Sequence, residues 1–241
     1  MKEFINKLIA LGLTATLVAG VATACTGKTD ETTSSDVEVT GEAGNVLLGG
    51  WQLADSSEIT DEMRAMFDDA FTEFAGAGYT QLAFIASQVV AGRNYCFLCQ
   101  GQVVAPDTDP FYALVYIYED PDHESIITNI VNVSLPGGGA SGDTAIPGGW
   151  EYIDSADVAA GDVVSSATAQ LTGADYEAIA AIASKVTSGT SYAVVCRVTP
   201  VTPDATSSIQ VVEIHEDANG TCELVDSVEL DIAGMYSAQQ G

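Results

Sequence analysis

The feature that most constrains the fold is an internal repeat. The segment Tyr79–Gly92 aligns with Tyr176–Gly189, 97 positions further along the chain. The same offset places Cys99 on Cys196. A repeat of this length indicates that one small folding unit occurs twice, since both copies carry the same pattern of apolar and turn residues.

The repeat also sets the expected domain boundaries. Gly49-Gly50-Trp51 matches Gly148-Gly149-Trp150, so each copy begins shortly before this motif. The segment between the copies is rich in glycine, which is typical of a flexible linker. We therefore expect a first domain at 46–135, a linker at 136–145, a second domain at 146–233 and a C-terminal tail at 234–241.

The N-terminus has the pattern of a secretory leader. Two early lysines precede an apolar stretch that is too short for a comfortable membrane span. Ala22-Thr23-Ala24 then provides a small-residue cleavage site, which predicts a signal peptide over residues 1–24. The following residues, 25–45, are mostly small and polar, and we expect them to form a flexible tether.

The first residue after this cleavage site predicts a membrane anchor. Cys25 resembles the acylated cysteine of bacterial lipoproteins, although those usually carry Leu where this chain has Ala22. The resemblance implies an exported protein that is held at the cell surface by a lipid on Cys25. Ordinary signal peptidase would favour the same cut, which leaves an exported protein without this lipid as the alternative. We expect no membrane contact other than this lipid.

Charge limits the partners of the chain. Lys and Arg number 7 against 34 Asp and Glu, which gives a formal net charge of −27. Such a field repels phosphate groups, so nucleic acid is excluded as a partner. The hydrophobic fraction of 47% is enough for packed cores and excludes global disorder. The acidity itself favours a soluble, well-hydrated surface.

Each copy is expected to begin with a long amphipathic helix. Thr60 is a candidate N-cap, and acidic residues follow it in the first turn. The second copy has a weaker stripe near 156–171. The apolar stripe of the first copy recurs at helical spacing: Ile59, Met63, Met66, Phe67, Ala70, Phe71 and Phe74.

Strand-like segments follow each helix. In the first copy they lie near 79–90, 93–104, 111–119 and 125–135, and the second copy repeats them 97 positions on. Short connections with Gly or Pro predict antiparallel neighbours. One helix and a four-stranded antiparallel sheet in each domain define an α+β fold class.

No recognised motif for catalysis or metal binding is present. Cys96 and Cys99 fall within one predicted strand, where residues three apart point to opposite faces, so a shared disulfide or metal is disfavoured. Cys196 and Cys222 are expected on strands separated by a third strand. His123 and His215 lack partners at zinc-ligand spacing. We expect no enzyme activity, no cofactor and no metal.

The first copy contains a motif of a known inhibitor family. Gln88-Val89-Val90-Ala91-Gly92 fits the Gln-x-Val-x-Gly hairpin of cystatins, and Gly49-Gly50 precedes the helix as the N-terminal trunk does in the stefin branch. The order of elements also resembles that family, in both copies. The resemblance implies two tandem cystatin-like domains that inhibit papain-like cysteine proteases by filling the active-site cleft with a trunk and two hairpins.

The resemblance implies a set of protease-binding residues in each copy. In the second hairpin of the first copy, Pro121 is flanked by acids where the family carries an apolar anchor. The second copy departs further, because Lys185 replaces the motif glutamine. We therefore expect the first copy to be the active one. The candidate residues are Gly49, Gly50, Gln88, Val89, Val90, Ala91, Gly92, Pro121, Gly148, Gly149, Lys185, Val186 and Gly189.

These observations leave three functions open. The first is a lipid-anchored inhibitor of papain-like cysteine proteases that acts by occlusion. The second is a non-inhibitory adhesion or assembly module of the same fold, since a fold does not determine function. The third is a chaperone or propeptide-like partner dedicated to one protease. Inhibition of papain itself separates the first function from the other two.

Overall fold

A computed structural model of the chain describes residues 49–105, 108–137 and 148–238. The predicted signal peptide, Cys25 and its lipid, the tether and most of the linker lie outside the described residues. Within the described part of the chain, no helix is long and apolar enough to cross a membrane. Nor do three or more His, Cys, Asp or Glu side chains come together there as metal ligands.

The first copy forms a five-stranded antiparallel sheet with the order β1-β2-β3-β4-β5. Each strand therefore pairs with its neighbour in sequence, and the helix is inserted between the first two. The elements are β1 Trp51–Leu53, α1 Asp61–Ala70, β2 Ala77–Val89, β3 Arg93–Val103, β4 Phe111–Glu119 and β5 Ser125–Asn132.

The second copy has the same connectivity, with the strand order β6-β7-β8-β9-β10, and ends in an additional short helix. Its elements are β6 Glu151–Tyr152, α2 Ala160–Thr168, β7 Ala174–Val186, β8 Gly189–Pro200, β9 Ser208–Asp217, β10 Cys222–Glu229 and α3 Ile232–Ser237.

The predicted fold class, one long helix on a four-stranded sheet in each copy, is wrong. The described chain is mostly β, with five strands in each sheet and helices of 10, 9 and 6 residues. Thr60 does cap α1, because its side chain accepts a hydrogen bond from the Met63 amide. The apolar stripe overestimated the helix: Phe71 and Phe74 lie beyond Ala70, in tight turns that still pack against Tyr79.

The extra strand in each sheet has no recognisable sequence pattern. β1 has three residues and β6 has two, which is too short for apolar alternation to show. Both are defined by pairing with the long strand of their own sheet: Trp51 pairs with Gln88, and Glu151 pairs with Ser184.

The central strands are buried on both faces. In β3, Phe97 and Cys99 pack under α1, whereas Cys96 and Leu98 point into the core between the two sheets. Val164 of α2 covers the outer face of the second sheet in the same way. The described chain therefore has four layers, helix, sheet, sheet and helix, with the sheets face to face.

The two copies share their largest hydrophobic core. Side chains of both sheets form one cluster, including Leu98 and Tyr116 from the first copy and Ile182 and Val195 from the second, all four of them fully buried. Burial of apolar surface is the main stabilising contribution to folding, so each copy supplies much of the stability of the other.

Polar contacts between the copies are reciprocal. The Arg197 guanidinium in β8 donates to the Asp55 carbonyl at 2.7 Å, just after β1. Gln100, which aligns with Arg197, accepts a hydrogen bond from the Ser155 hydroxyl at 3.2 Å, in the segment that follows β6. The two copies are thus related by an approximate two-fold axis.

The C-terminal helix α3 belongs to the second copy in sequence but packs on the first. The Tyr116 hydroxyl donates to the Ile232 carbonyl at 2.9 Å, and the Asn129 amide donates to the Met235 carbonyl at 3.2 Å. The Tyr236 ring lies 5.2 Å from that of Trp51. Residues 234–237, expected in a tail, are therefore part of the packed structure.

The four cysteines of the described chain are free thiols. Burial raises the pKa of the Cys96 and Cys99 thiols well above the ordinary value, and it raises that of Cys196 to about 12. Cys222 is partly exposed, and its pKa is also raised, first by burial and then by Glu216 and Asp217. A thiolate is the reactive form, so the three buried thiols should be unreactive in the folded protein, and the partly exposed Cys222 should be the most reactive of the four.

Thiol titration should show this difference in exposure. In a chain that starts at residue 46, we expect an aromatic disulfide reagent to modify Cys222 first and the other three only as the protein unfolds. Denaturant should then release all four thiols. Fewer than four thiols in freshly denatured protein, with recovery after reduction, would contradict the free-thiol assignment.

Candidate protein-binding edge

The trunk residues Gly49 and Gly50 lie directly beside the first hairpin. The Gly49 amide donates to the Val89 carbonyl at 3.1 Å, and the Gln88 side-chain amide donates to the Gly49 carbonyl at 2.8 Å. Gly49 has a φ of +84°, a conformation that glycine adopts without steric cost. Two predicted binding segments, 39 positions apart in sequence, are thus joined by two hydrogen bonds.

The first hairpin connects β2 to β3 through Val90, Ala91 and Gly92. The Val90 amide donates to the Gly92 carbonyl at 3.1 Å, which closes the turn. The Val90 side chain is 42% exposed, so the tip presents an apolar group to solvent. A Cβ at Gly92 would collide with the Glu119 carbonyl oxygen and lie 2.9 Å from the Tyr118 ring. Glycine is therefore required there by a close backbone approach.

The second hairpin begins where the first one makes this contact. Asp120 organises it, because its carboxylate accepts hydrogen bonds from the Asp122 and Glu124 amides at 2.8 and 2.9 Å. Pro121 is exposed at the tip, and His123 has a φ of +67°. The trunk, the first hairpin and the second hairpin thus lie at one end of the sheet. We call residues 49–50, 89–92 and 120–124 together the first-copy edge.

Glu119 fixes the second hairpin to the sheet. One of its carboxylate oxygens accepts a hydrogen bond from the Tyr95 hydroxyl at 2.9 Å, and the other lies 2.9 Å from Nδ1 of His123. The hydrogen bond with His123, followed by that with Tyr95, lowers the pKa of Glu119. The hydrogen bond with Glu119 in turn raises the pKa of His123.

The His123–Glu119 pair should hold only within a limited pH range. The pair is charged while His123 is protonated, so it is lost as pH rises through a His123 pKa above 6.5. It is also lost as pH falls through a Glu119 pKa below 4.5. We expect an NMR titration to place the His123 pKa above 6.5, and Glu119→Gln to lower it. An unchanged value in that variant would contradict the pairing.

The corresponding end of the second copy is built differently. Lys185, at the position of Gln88, forms a 2.7 Å ion pair with Glu213, and its ammonium lies 4.2 Å from the Trp150 ring centroid. Val186 at the hairpin tip is 75% exposed. A Cβ at Gly189 would collide with the Glu216 carbonyl oxygen, as one at Gly92 would with Glu119. The hairpin geometry is repeated, but the Lys185 side chain points inwards and contacts Glu213 and Trp150.

The trunk of the second copy is only partly comparable. Gly148 is exposed with a φ of +81°, close to that of Gly49, and Gly149 is half-buried. Trp150 follows and is buried, with its indole N–H donating to the Pro136 carbonyl at 2.9 Å. Pro136 comes just after β5, so this indole joins the start of the second copy to the end of the first.

The hairpin ends of the two sheets point away from each other. Trp51, at the hairpin end of the first sheet, contacts Tyr236, which follows the far end of β10. Trp150, at the hairpin end of the second sheet, bonds to Pro136, which follows the far end of β5. A partner bound at the first-copy edge would therefore leave the other end free.

An open cleft of about 720 Å³ lies between the two copies, next to the trunk. Residues 51–55 line one side, and Arg197, Thr199 and Ser207 line the other. The Arg197 guanidinium is buried and already bonded to the Asp55 carbonyl and the Ser57 hydroxyl. It therefore serves to hold the copies together.

The sequence alone assigned no functional role to Asn94 or to Glu119 with its partners Tyr95 and His123. Asn94 is 5% exposed and donates to the Gln88 side-chain carbonyl at 2.6 Å. Its place directly after the hairpin was visible, but its partner depends on the register of β2 with β3, which pairs Gln88 with Asn94. The Tyr95–Glu119 contact likewise depends on how β3 pairs with β4.

Compared with protein-family models and with curated proteins, the chain finds no match.

Proposed function

We propose that this protein is an exported inhibitor of papain-like cysteine proteases that binds through its first-copy edge. The observation that carries the proposal is the clustering of the trunk and both hairpins at one end of the first sheet, joined by the Gln88–Gly49 hydrogen bond. The motif from Gln88 to Gly92, with its likeness to the cystatin hairpin, gives the class of partner.

Inhibition in this proposal is steric. The edge presents backbone, an exposed Val90 and an exposed Pro121, and it offers no nucleophile. It fills the protease cleft and keeps substrate from the catalytic cysteine. An interface of ordinary size buries about 800 Å² on each partner. Because hydrogen bonds already hold the trunk and hairpins, little conformational entropy would be lost on binding.

The second copy supports the first in this proposal. Its sheet completes the shared core, and α3 packs against Trp51 and Tyr116. Its Lys185 side chain is only 18% exposed, because it turns towards Glu213. In this proposal the predicted leader and a lipid on Cys25 would hold the inhibitor at the cell surface, where it would meet proteases outside the cell.

Titration of papain with a chain that starts at residue 46 tests the proposal. A fluorogenic peptide substrate reports residual activity, and competitive inhibition is expected between about 1 nM and a few μM, which corresponds to about −12 to −8 kcal/mol. The inhibitor should stay intact in the complex. A folded protein that leaves papain fully active at about 100 μM would refute the proposal.

One observation favours a second candidate, a non-inhibitory adhesion or assembly module. The exposed tip of the second hairpin carries Asp122 and Glu124 beside Pro121 and has no large apolar side chain. Binding energy in interfaces is concentrated in buried aromatic, arginine and apolar anchors, so this tip would bind weakly in an apolar cleft. Failure against papain and against a panel of related proteases would support this candidate.

A further inference from the structure

We propose that Asn94 is a positioning residue: it orients the Gln88 amide so that Gln88 holds the trunk against the first hairpin. The effect on inhibition rests on the proposed function, whereas the effect on the trunk does not. Asn94, Gln88 and Gly49 form a chain of two hydrogen bonds, of 2.6 and 2.8 Å, from the interior of the sheet to its edge.

The orientation of the Gln88 amide follows from its two partners. The Gln88 carbonyl oxygen accepts from Asn94, and the Gln88 N–H donates to the Gly49 carbonyl. A flipped amide would place oxygen against oxygen at Gly49 and N–H against N–H at Asn94. Both contacts would be repulsive while the Asn94 N–H faces Gln88, so the Gly49 carbonyl and the Asn94 N–H together favour the one orientation in which Gln88 can bind the trunk.

The burial of Asn94 supports a positioning role. Asn94 is 5% exposed, and its side-chain oxygen has no hydrogen-bond partner among the described residues. A buried amide that uses only its donor end is costly to the fold, because the unpaired oxygen loses its hydration. An apolar residue would avoid that cost at this position. The donor end is what Asn94 contributes.

The second copy lacks this chain of hydrogen bonds. Lys185 and Ser191 stand where the first copy has Gln88 and Asn94. The Lys185 ammonium bonds to Glu213, and the Ser191 hydroxyl lies 3.3 Å from Nδ1 of His215. Two copies with the same hairpin geometry thus differ in what holds the trunk, and only the first has the amide pair.

Amide hydrogen exchange at Gly49 tests the clamp directly. In Asn94→Ala, we expect the Gly49 amide to exchange at least about 10-fold faster, since its bond to Val89 depends on a trunk held in place. Amides inside β3 and β4 should keep their protection. Ser191→Ala, the matched change in the second copy, should leave the exchange rate of the Gly49 amide unchanged. Unchanged exchange at Gly49 in Asn94→Ala would overturn the proposal.

A double-mutant cycle tests whether Asn94 acts through the trunk. Asn94→Ala should weaken papain inhibition about 10-fold in the chain that starts at residue 46, and it should have little effect in a chain that starts at Trp51. An equal loss in both chains would indicate a general structural role. If Asn94→Ala does not fold, Gln88→Met keeps the side-chain size and removes both bonds. If the unaltered chain does not inhibit, the proposed function fails, and exchange at Gly49 still decides the clamp.

Discussion

A fragment that carries only the first copy, residues 46–135, is expected to yield no folded monomer. Its sheet would expose the face that packs against the second copy. Circular dichroism, NMR dispersion and sedimentation of the purified fragment measure the outcome. The side chains of this face that are buried in the whole chain are Ala83, Ile85, Ala86, Cys96, Leu98, Tyr112, Leu114, Tyr116, Val133 and Leu135.

The prediction rests on how much folding free energy the fragment loses when this face is exposed to water. Burial of one large apolar side chain contributes about 1.5–3 kcal/mol, whereas a whole domain is stable by about 5–15 kcal/mol. Exposure of Ile85, Leu98, Leu114 and Tyr116 alone would therefore remove most or all of that margin. The fragment also loses α3, whose Ile232 carbonyl accepts a hydrogen bond from the Tyr116 hydroxyl.

The control is the chain from residue 46 to the end, which should unfold in one cooperative transition because the copies share a core. The approximate two-fold relation between the copies gives the fragment one way to fold, by pairing its inner face with a second fragment. A dimer would thus agree with the prediction. A monomeric fragment with native-like NMR dispersion would contradict it, and so would two separate transitions in the whole chain.

The sequence predicted the strands better than the layers. Apolar runs in β3 and β4 indicated strands close to their observed limits, because these strands are buried on both faces. The same burial concealed what covers each face. Periodicity shows that Leu98 is buried, but it does not show that the second sheet covers it. The helix was overestimated because the half-buried Phe71 and the 40% exposed Phe74 contact the Tyr79 ring without being helical. Periodicity reports the spacing of apolar residues and does not show where the helix ends.

The candidate site was predictable where it depended on local sequence. Gln88 to Gly92 and the Gly-Gly pairs are contiguous motifs, and the structure brings the first-copy trunk and both hairpins of that copy together. Asn94, Tyr95 and Glu119 act through partners on other strands, and a shift of one residue in register would turn each side chain to the other face. Their roles could therefore be assigned only once the pairing of β2, β3 and β4 was known.

Replacement of Gly92 by alanine should impair both stability and inhibition. The new Cβ would collide with the Glu119 carbonyl oxygen, and a backbone atom in a sheet cannot move aside as a side chain can. The first hairpin must then move away from β4, at a cost of about 1–3 kcal/mol for overpacking. This movement separates the two hairpins of the first-copy edge, so papain inhibition should fall at least about 10-fold. Thermal unfolding and substrate titration measure the two effects.

Gly189→Ala is the matched control, because its Cβ would collide with the Glu216 carbonyl oxygen at the equivalent point of the second sheet. We expect a similar loss of thermal stability and unchanged inhibition at a temperature where both variants are folded. The difference between the two variants then measures what the geometry of the first-copy edge contributes to binding, apart from global stability. Equal loss of inhibition in both variants would show that binding follows overall stability. Full inhibition by folded Gly92→Ala would show that the first hairpin does not belong to the binding surface.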